Sequence, residues 1–212
     1  MKITTARTTG LLYLGLAISG MLAFLLAKEK LFVDGDAIAT STNLAANQGL
    51  ARFGVAAEVA LVGFQALTAL WFFKLFRNKD SFVAGLIGVF GMVNAIVILV
   101  ASAMWLSALA IANSGGQADM TYTLFSLHNN IWVVASLFFG LWLLPMAYMA
   151  RVVKMPRLLV WLLVAGGIGY VLATFTAIIL PNQTGLTNAL PVAATLGEFW
   201  IIGYLLFKRV KV

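Results

Sequence analysis

A single histidine, His128, stands in Leu127-His128-Asn129-Asn130, close to the start of an apolar run that reaches Ala150. Two glutamates, Glu58 and Glu198, fall within other apolar stretches, and Arg52 sits at the edge of one. Ionisable groups in such surroundings are costly to bury; they turn toward one another or a polar cavity and mark functional sites. One imidazole and two carboxylates make an adequate donor set for zinc, manganese or iron, with water at an open position. Glu58, His128 and Glu198 are therefore candidate ligands of a divalent metal, and Arg52 a candidate clamp for an anionic substrate. Together with Gln65, Asn94 and Asn129, the same groups are candidates to line a pocket for a small molecule or lipid, where a few convergent polar groups sit in apolar walls. The third reading is an ion-pair network that fixes helix register and binds nothing.

Other chemistries are removed by what the chain lacks. There is no cysteine, so disulfides, thiolate metal sites and cysteine nucleophiles are out. One histidine cannot supply bis-histidine haem ligation, and no aspartate lies within an apolar stretch to form an intramembrane aspartyl dyad. Ser114-Gly115-Gly116 has no nucleophile-elbow context, and Gly166–Gly169 lies inside an apolar stretch, where glycines serve packing rather than phosphate binding.

The elements that must hold these groups follow from hydropathy. Hydrophobic residues make up 62% of the 212 residues and charged ones 10%, against about 25% charged in soluble domains. Six stretches approach or exceed the ~20 residues a spanning helix needs: 8–27, 50–76, 82–112, 122–150, 158–180 and 190–207. No period-two alternation suggests a barrel, so helices are the one way to satisfy the backbone in lipid. The expected fold is an all-α membrane protein, a six-transmembrane-helix bundle forming one domain over 1–212. Met1 to Arg7 and the apolar run after it could pass for a signal peptide, but the run is of spanning length and reads as an uncleaved first span.

Eleven of the fourteen Lys and Arg residues fall on one side of these spans: Lys2 and Arg7, then Lys74, Arg77 and Lys79, then Arg151, Lys154 and Arg157, then Lys208, Arg209 and Lys211. The positive-inside rule places both termini in the cytoplasm. The net charge of +7 thus reports topology, not a nucleic-acid surface. On the opposite side, Asp34-Gly35-Asp36 reads as a turn with Asp36 as N-cap of a short extracytoplasmic helix through Gln48, stopped by Gly49.

With that topology the polar groups share a depth. At 1.5 Å per residue Glu58 lies roughly 12 Å below the outer end of the second span; Glu198 and His128 are similarly placed in the sixth and fourth. Gln65 continues the Glu58 face inward, Asn94 lies near mid-membrane, and Trp105 and Trp132 are candidate aromatic walls. Ala165, Gly169 and Ala173 form a small-residue face for close packing, and Pro145 is expected to kink the fourth span. Glu58 before Gly63-Phe64 is echoed by Glu198 before Gly203-Tyr204.

Several segments resemble a bacterial integral-membrane family catalogued as domain of unknown function 4386. They are Thr9-Gly10-Leu11-Leu12-Tyr13-Leu14, Gly35-Asp36, Arg52-Phe53-Gly54 with Glu58, Leu127-His128 with Phe138-Phe139-Gly140, Pro156-Arg157-Leu158-Leu159 through Gly169-Tyr170, and Gly197-Glu198. The acid of the second span is often Asp in that family, and Glu58 is one methylene longer. The resemblance implies a polytopic bundle and carries no reaction with it.

The expectation is thus a multi-pass protein of a bacterial cytoplasmic (inner) membrane. It has an outward-facing polar pocket that binds a small molecule or lipid, with transport as an extension. The alternatives are a metal-dependent membrane hydrolase using Glu58, His128 and Glu198, and a non-catalytic accessory subunit docking to a membrane-protein partner.

Overall fold

The computed structural model describes residues 4–208 and 210. Lys2, Arg209 and Lys211, three of the cations used above to orient the chain, lie outside the described residues. In order, the elements are α1 (Thr5–Met21), a π-helical segment (Leu22–Lys28), α2 (Glu29–Leu31), α3 (Ala37–Ala46), α4 (Gln48–Phe76) and α5 (Ser81–Asn113). There follow α6 (Ala118–Val152), α7 (Arg157–Ile179), α8 (Thr184–Ala189) and α9 (Val192–Phe207). Among the described residues six helical stretches are long and apolar enough to cross a membrane, and the protein is an all-α polytopic membrane protein. Backbone groups in hydrocarbon have no water to bond to, so uninterrupted helices are what such a sequence must form.

The differences from hydropathy lie at the helix ends. The first span runs on to Leu31 through the π-helical turns, with the Lys28 ammonium 4.8 Å from the centroid of the Phe24 ring. A cation with a partner inside its own helix does not end the span where the apolar run ends. The short loop helix is capped as expected, Asp36 Oδ1 accepting from Ala39 N at 2.8 Å. It stops at Ala46 rather than Gln48, and Gly49 lies inside α4.

Pro145 lies within α6 without ending it, and Gly166-Gly167 lies within an unbroken α7. The interruption falls at Leu190-Pro191, between α8 and α9. Proline has no N–H to continue the ladder. The sixth span therefore begins at Thr184; α9 alone, with 16 residues, would reach only about 24 Å.

The chain clusters into two compact units, one of Met1–Leu14, Phe64–Ala95 and Val133–Val212, the other of Gly15–Gly63 and Ile96–Trp132. In the first, small residues set the helix spacing. A Cβ on Gly169 would collide with the Leu190 carbonyl and one on Gly166 with the Ala194 backbone. The packing face of α7 is therefore Gly166, Gly169 and Ala173, all buried, while Ala165 is exposed. Gly91 leaves room for the Trp142 ring, and Trp142 meets Tyr13 and Phe72 edge-on at 5.6 and 5.9 Å.

In the second unit Leu31, Leu44, Trp105 and Phe125 share one apolar core. The loop helix is tied to it by side chains. Thr40 Oγ1 accepts from Val33 N at 3.0 Å, Tyr122 Oη accepts from Gly35 N at 2.8 Å, and Phe32 stacks on Tyr122.

Candidate functional site

Within the second unit α4 carries Glu58 and α6 carries His128, both with no exposed surface. His128 Nε2–H donates to Oε2 of Glu58 at 2.9 Å and lies 3.1 Å from Oε1. Trp132, four residues on and so on the same helix face, donates its indole N–H to Oε1 at 3.0 Å. Ser102 of α5 shares its hydroxyl proton between Oε1 at 3.1 Å and the Ile98 carbonyl at 3.0 Å. Three side chains from two helices thus converge on one carboxylate. Hydrogen bonds are stronger where water is excluded.

Aromatic rings close the surroundings. Phe125, one turn before His128, stacks on the imidazole at 5.5 Å, and Trp105 meets it edge-on at 5.2 Å. Phe24, from the π-helical segment, packs edge-on against Trp132 at 4.6 Å, and Lys28 of that segment lies within electrostatic reach of Glu58. Gly54, one turn before Glu58, is what allows Trp105 to lie flush: a Cβ there would come within 2.5 Å of the indole. On the other side of the imidazole, Nδ1 is 3.2 Å from Asn129 Oδ1.

Of the residues singled out from sequence, Glu58, His128 and Asn129 come together in this way. Arg52 is exposed. Glu198, Gln65 and Asn94 belong to the first unit, where Glu198 Oε1 accepts the Tyr13 hydroxyl at 2.5 Å.

The expected divalent-metal site on Glu58, His128 and Glu198 is overturned. Among the described residues no three His, Cys, Asp or Glu side chains group closely enough to hold a metal ion. Glu58 takes its bonds from His128, Trp132 and Ser102, and Glu198 from Tyr13. The hydrolase that depended on that triad loses its basis.

Gln65 and Asn94 are fully buried. Gln65 Nε2 donates weakly to the Gly91 carbonyl at 3.5 Å. Among the described residues Gln65 Oε1, Thr68 Oγ1 and both amide atoms of Asn94 have no hydrogen-bond partner. Each buried unmade bond costs about 1–3 kcal/mol. Asn94→Leu, which removes two of these atoms at similar volume, is therefore expected to raise stability by about 1–3 kcal/mol in unfolding titrations in micelles. A loss of stability would instead show that Asn94 is a bonded group in the working protein.

Sequence reasoning missed Tyr13 as the partner of Glu198, the π-helical segment, and Trp132 as a donor rather than a wall. The one available signal was the spacing of Phe125, His128 and Trp132, which puts all three on one face. Nothing local links Tyr13 to a residue 185 positions away.

The family model described as a domain of unknown function, DUF4386, matches residues 8–208. No match was found among curated proteins or among solved structures.

Proposed function

The chain belongs to the DUF4386 family, and we propose that it works in the membrane as a binding protein for a small organic molecule or lipid, recognised through Glu58 and His128. The observation that carries this reading is a fully buried carboxylate–imidazole pair walled by aromatic rings and flanked by a π-helical segment. Intramembrane ionisable pairs and π-helical turns both concentrate at functional sites. In this reading a hydroxyl or amine of the ligand takes the place of the Trp132 N–H at Oε1 of Glu58. Trp132 swings with Phe24, and the loosely wound Leu22–Lys28 segment absorbs the movement. The lysine and arginine distribution supports a cytoplasmic location for both termini, with this site toward the opposite surface of a bacterial inner membrane. Neither catalysis nor translocation is part of the proposal.

A second reading has its own support: both carboxylate oxygens of Glu58 are already occupied by protein donors. Such a closed knot can fix helix register and do nothing more. Native mass spectrometry of the protein purified in mild detergent separates the two. Binding predicts a discrete adduct that falls at least about tenfold in Glu58→Gln, a change of about 1.4 kcal/mol or more. No adduct in either protein, with Glu58→Gln altering thermal stability alone, would leave the register knot and overturn the binding reading.

A further inference from the structure

The turn between α6 and α7 lies beside a groove of about 840 Å³ lined by Arg151, Lys154 and Arg157. All three cations are exposed. Among the described residues no carboxylate lies within ion-pairing distance of any of them, the one such pair being His128–Glu58. Below the cations the groove is walled by Leu144 and Val164. Each is seven residues into its helix from Arg151 or Arg157, about 10 Å along the axis. Tyr148 and Trp161, 49% and 68% exposed, flank it, as aromatic side chains do at the level of lipid headgroups.

Charge clusters at span ends are expected from topology alone, but the backbone here is not. Met155 N bonds to the Ala150 carbonyl at 2.9 Å and Lys154 N to that of Arg151 at 3.1 Å. That is the Schellman pattern, whose left-handed position is normally glycine. The chain places Gly35 and Gly115 at two other left-handed positions, yet Lys154 stands here with φ 60°. A side chain in that region costs roughly 1–2 kcal/mol, and a strained residue at a charged concavity points to use rather than accident.

We propose that this groove binds the phosphate headgroup of an anionic phospholipid, with Arg151, Lys154 and Arg157 on the phosphodiester and an acyl chain along Leu144 and Val164. The apolar floor is what selects a lipid over a soluble phosphate, because a free anion has nothing to gain from it. None of these residues belongs to the Glu58–His128 pair, and the assignment stands independently of that reading.

The test is native mass spectrometry of the full chain in neutral detergent, titrated with phosphatidylglycerol or phosphatidylcholine. Saturable retention of phosphatidylglycerol is expected, with phosphatidylcholine held far more weakly. At about a factor of five per cation, from roughly 1 kcal/mol each, Lys154→Gly should weaken retention about fivefold while raising thermal stability, since it relieves the turn. Arg151→Gln/Lys154→Gln/Arg157→Gln should weaken it about a hundredfold. Lys74→Gln/Arg77→Gln/Lys79→Gln, which removes the same charge elsewhere, should change it less than about twofold.

Equal losses in the two triple variants would reduce the effect to net charge and overturn the site. So would unchanged retention in Lys154→Gly, or equal retention of the two lipids. Displacement of the lipid by millimolar inorganic phosphate would assign the groove to a free anion and overturn the lipid proposal.

Discussion

His128→Leu is expected to lower the stability of the folded protein by about 3–5 kcal/mol, the range for removing one partner of a buried ionisable pair. The loss is not the value of one hydrogen bond. Glu58 has no exposed surface, and among the described residues only His128 donates to its Oε2, while Trp132 and Ser102 address Oε1. The same logic predicts that Glu58→Gln/His128→Leu is more stable than His128→Leu alone. The amide still accepts from Trp132 and Ser102 through its oxygen, and no unpartnered carboxyl group is left buried. Unfolding titrations of the four proteins in mixed micelles give the coupling directly. If the double variant is no more stable than His128→Leu, the two side chains are not coupled.

The second large effect concerns glycines, and its sign changes along the chain. Gly→Ala in an open helical position stabilises by about 0.5–1 kcal/mol, through the entropy of the unfolded chain and helix propensity. Gly63 is such a position, with nothing within 4 Å of an added Cβ, and Gly63→Ala is expected to gain that amount.

Gly169→Ala is expected to lose about 3 kcal/mol, the upper part of the overpacking range. There the obstacle is the Leu190 carbonyl, backbone that can move only if the Leu190-Pro191 break moves with it. Gly54→Ala meets the Trp105 indole at 2.5 Å and the Ala27 methyl at 2.7 Å. Tilting that indole disturbs the ring beside His128, so this variant should lower stability and also alter tryptophan fluorescence. A stabilised Gly169→Ala protein would mean that α7 does not approach the Leu190-Pro191 break so closely.

How much of this was written in the sequence depends on the range of the interaction concerned. The six spans were legible because burial in hydrocarbon is decided residue by residue over about 20 positions. Their largest shifts are at three ends: the first helix runs on to Leu31 past the partnered Lys28, the fourth span starts early at Ala118, and the last begins at Thr184, ahead of the break at Pro191. The Asp36 cap was legible because it is a contact over three residues. The shared face of Phe125, His128 and Trp132 was equally present in the helical period.

The choice of partners was not. Composition and depth offered Glu58, Glu198, Arg52 and His128 as one cluster. Depth leaves the rotation of each helix and the order of its neighbours undetermined, and those follow from packing. Gly54 against Trp105 sets what faces Glu58, and Gly166 and Gly169 set how α7 lies against α8 and α9. With those contacts in place Glu58 meets His128 while Glu198 meets Tyr13, and the metal triad dissolves. The sequence alone determined that the chain crosses a membrane and must bury a few charges. Only the tertiary structure decided which charges meet, because that depends on helix faces packed together across many residues of intervening chain.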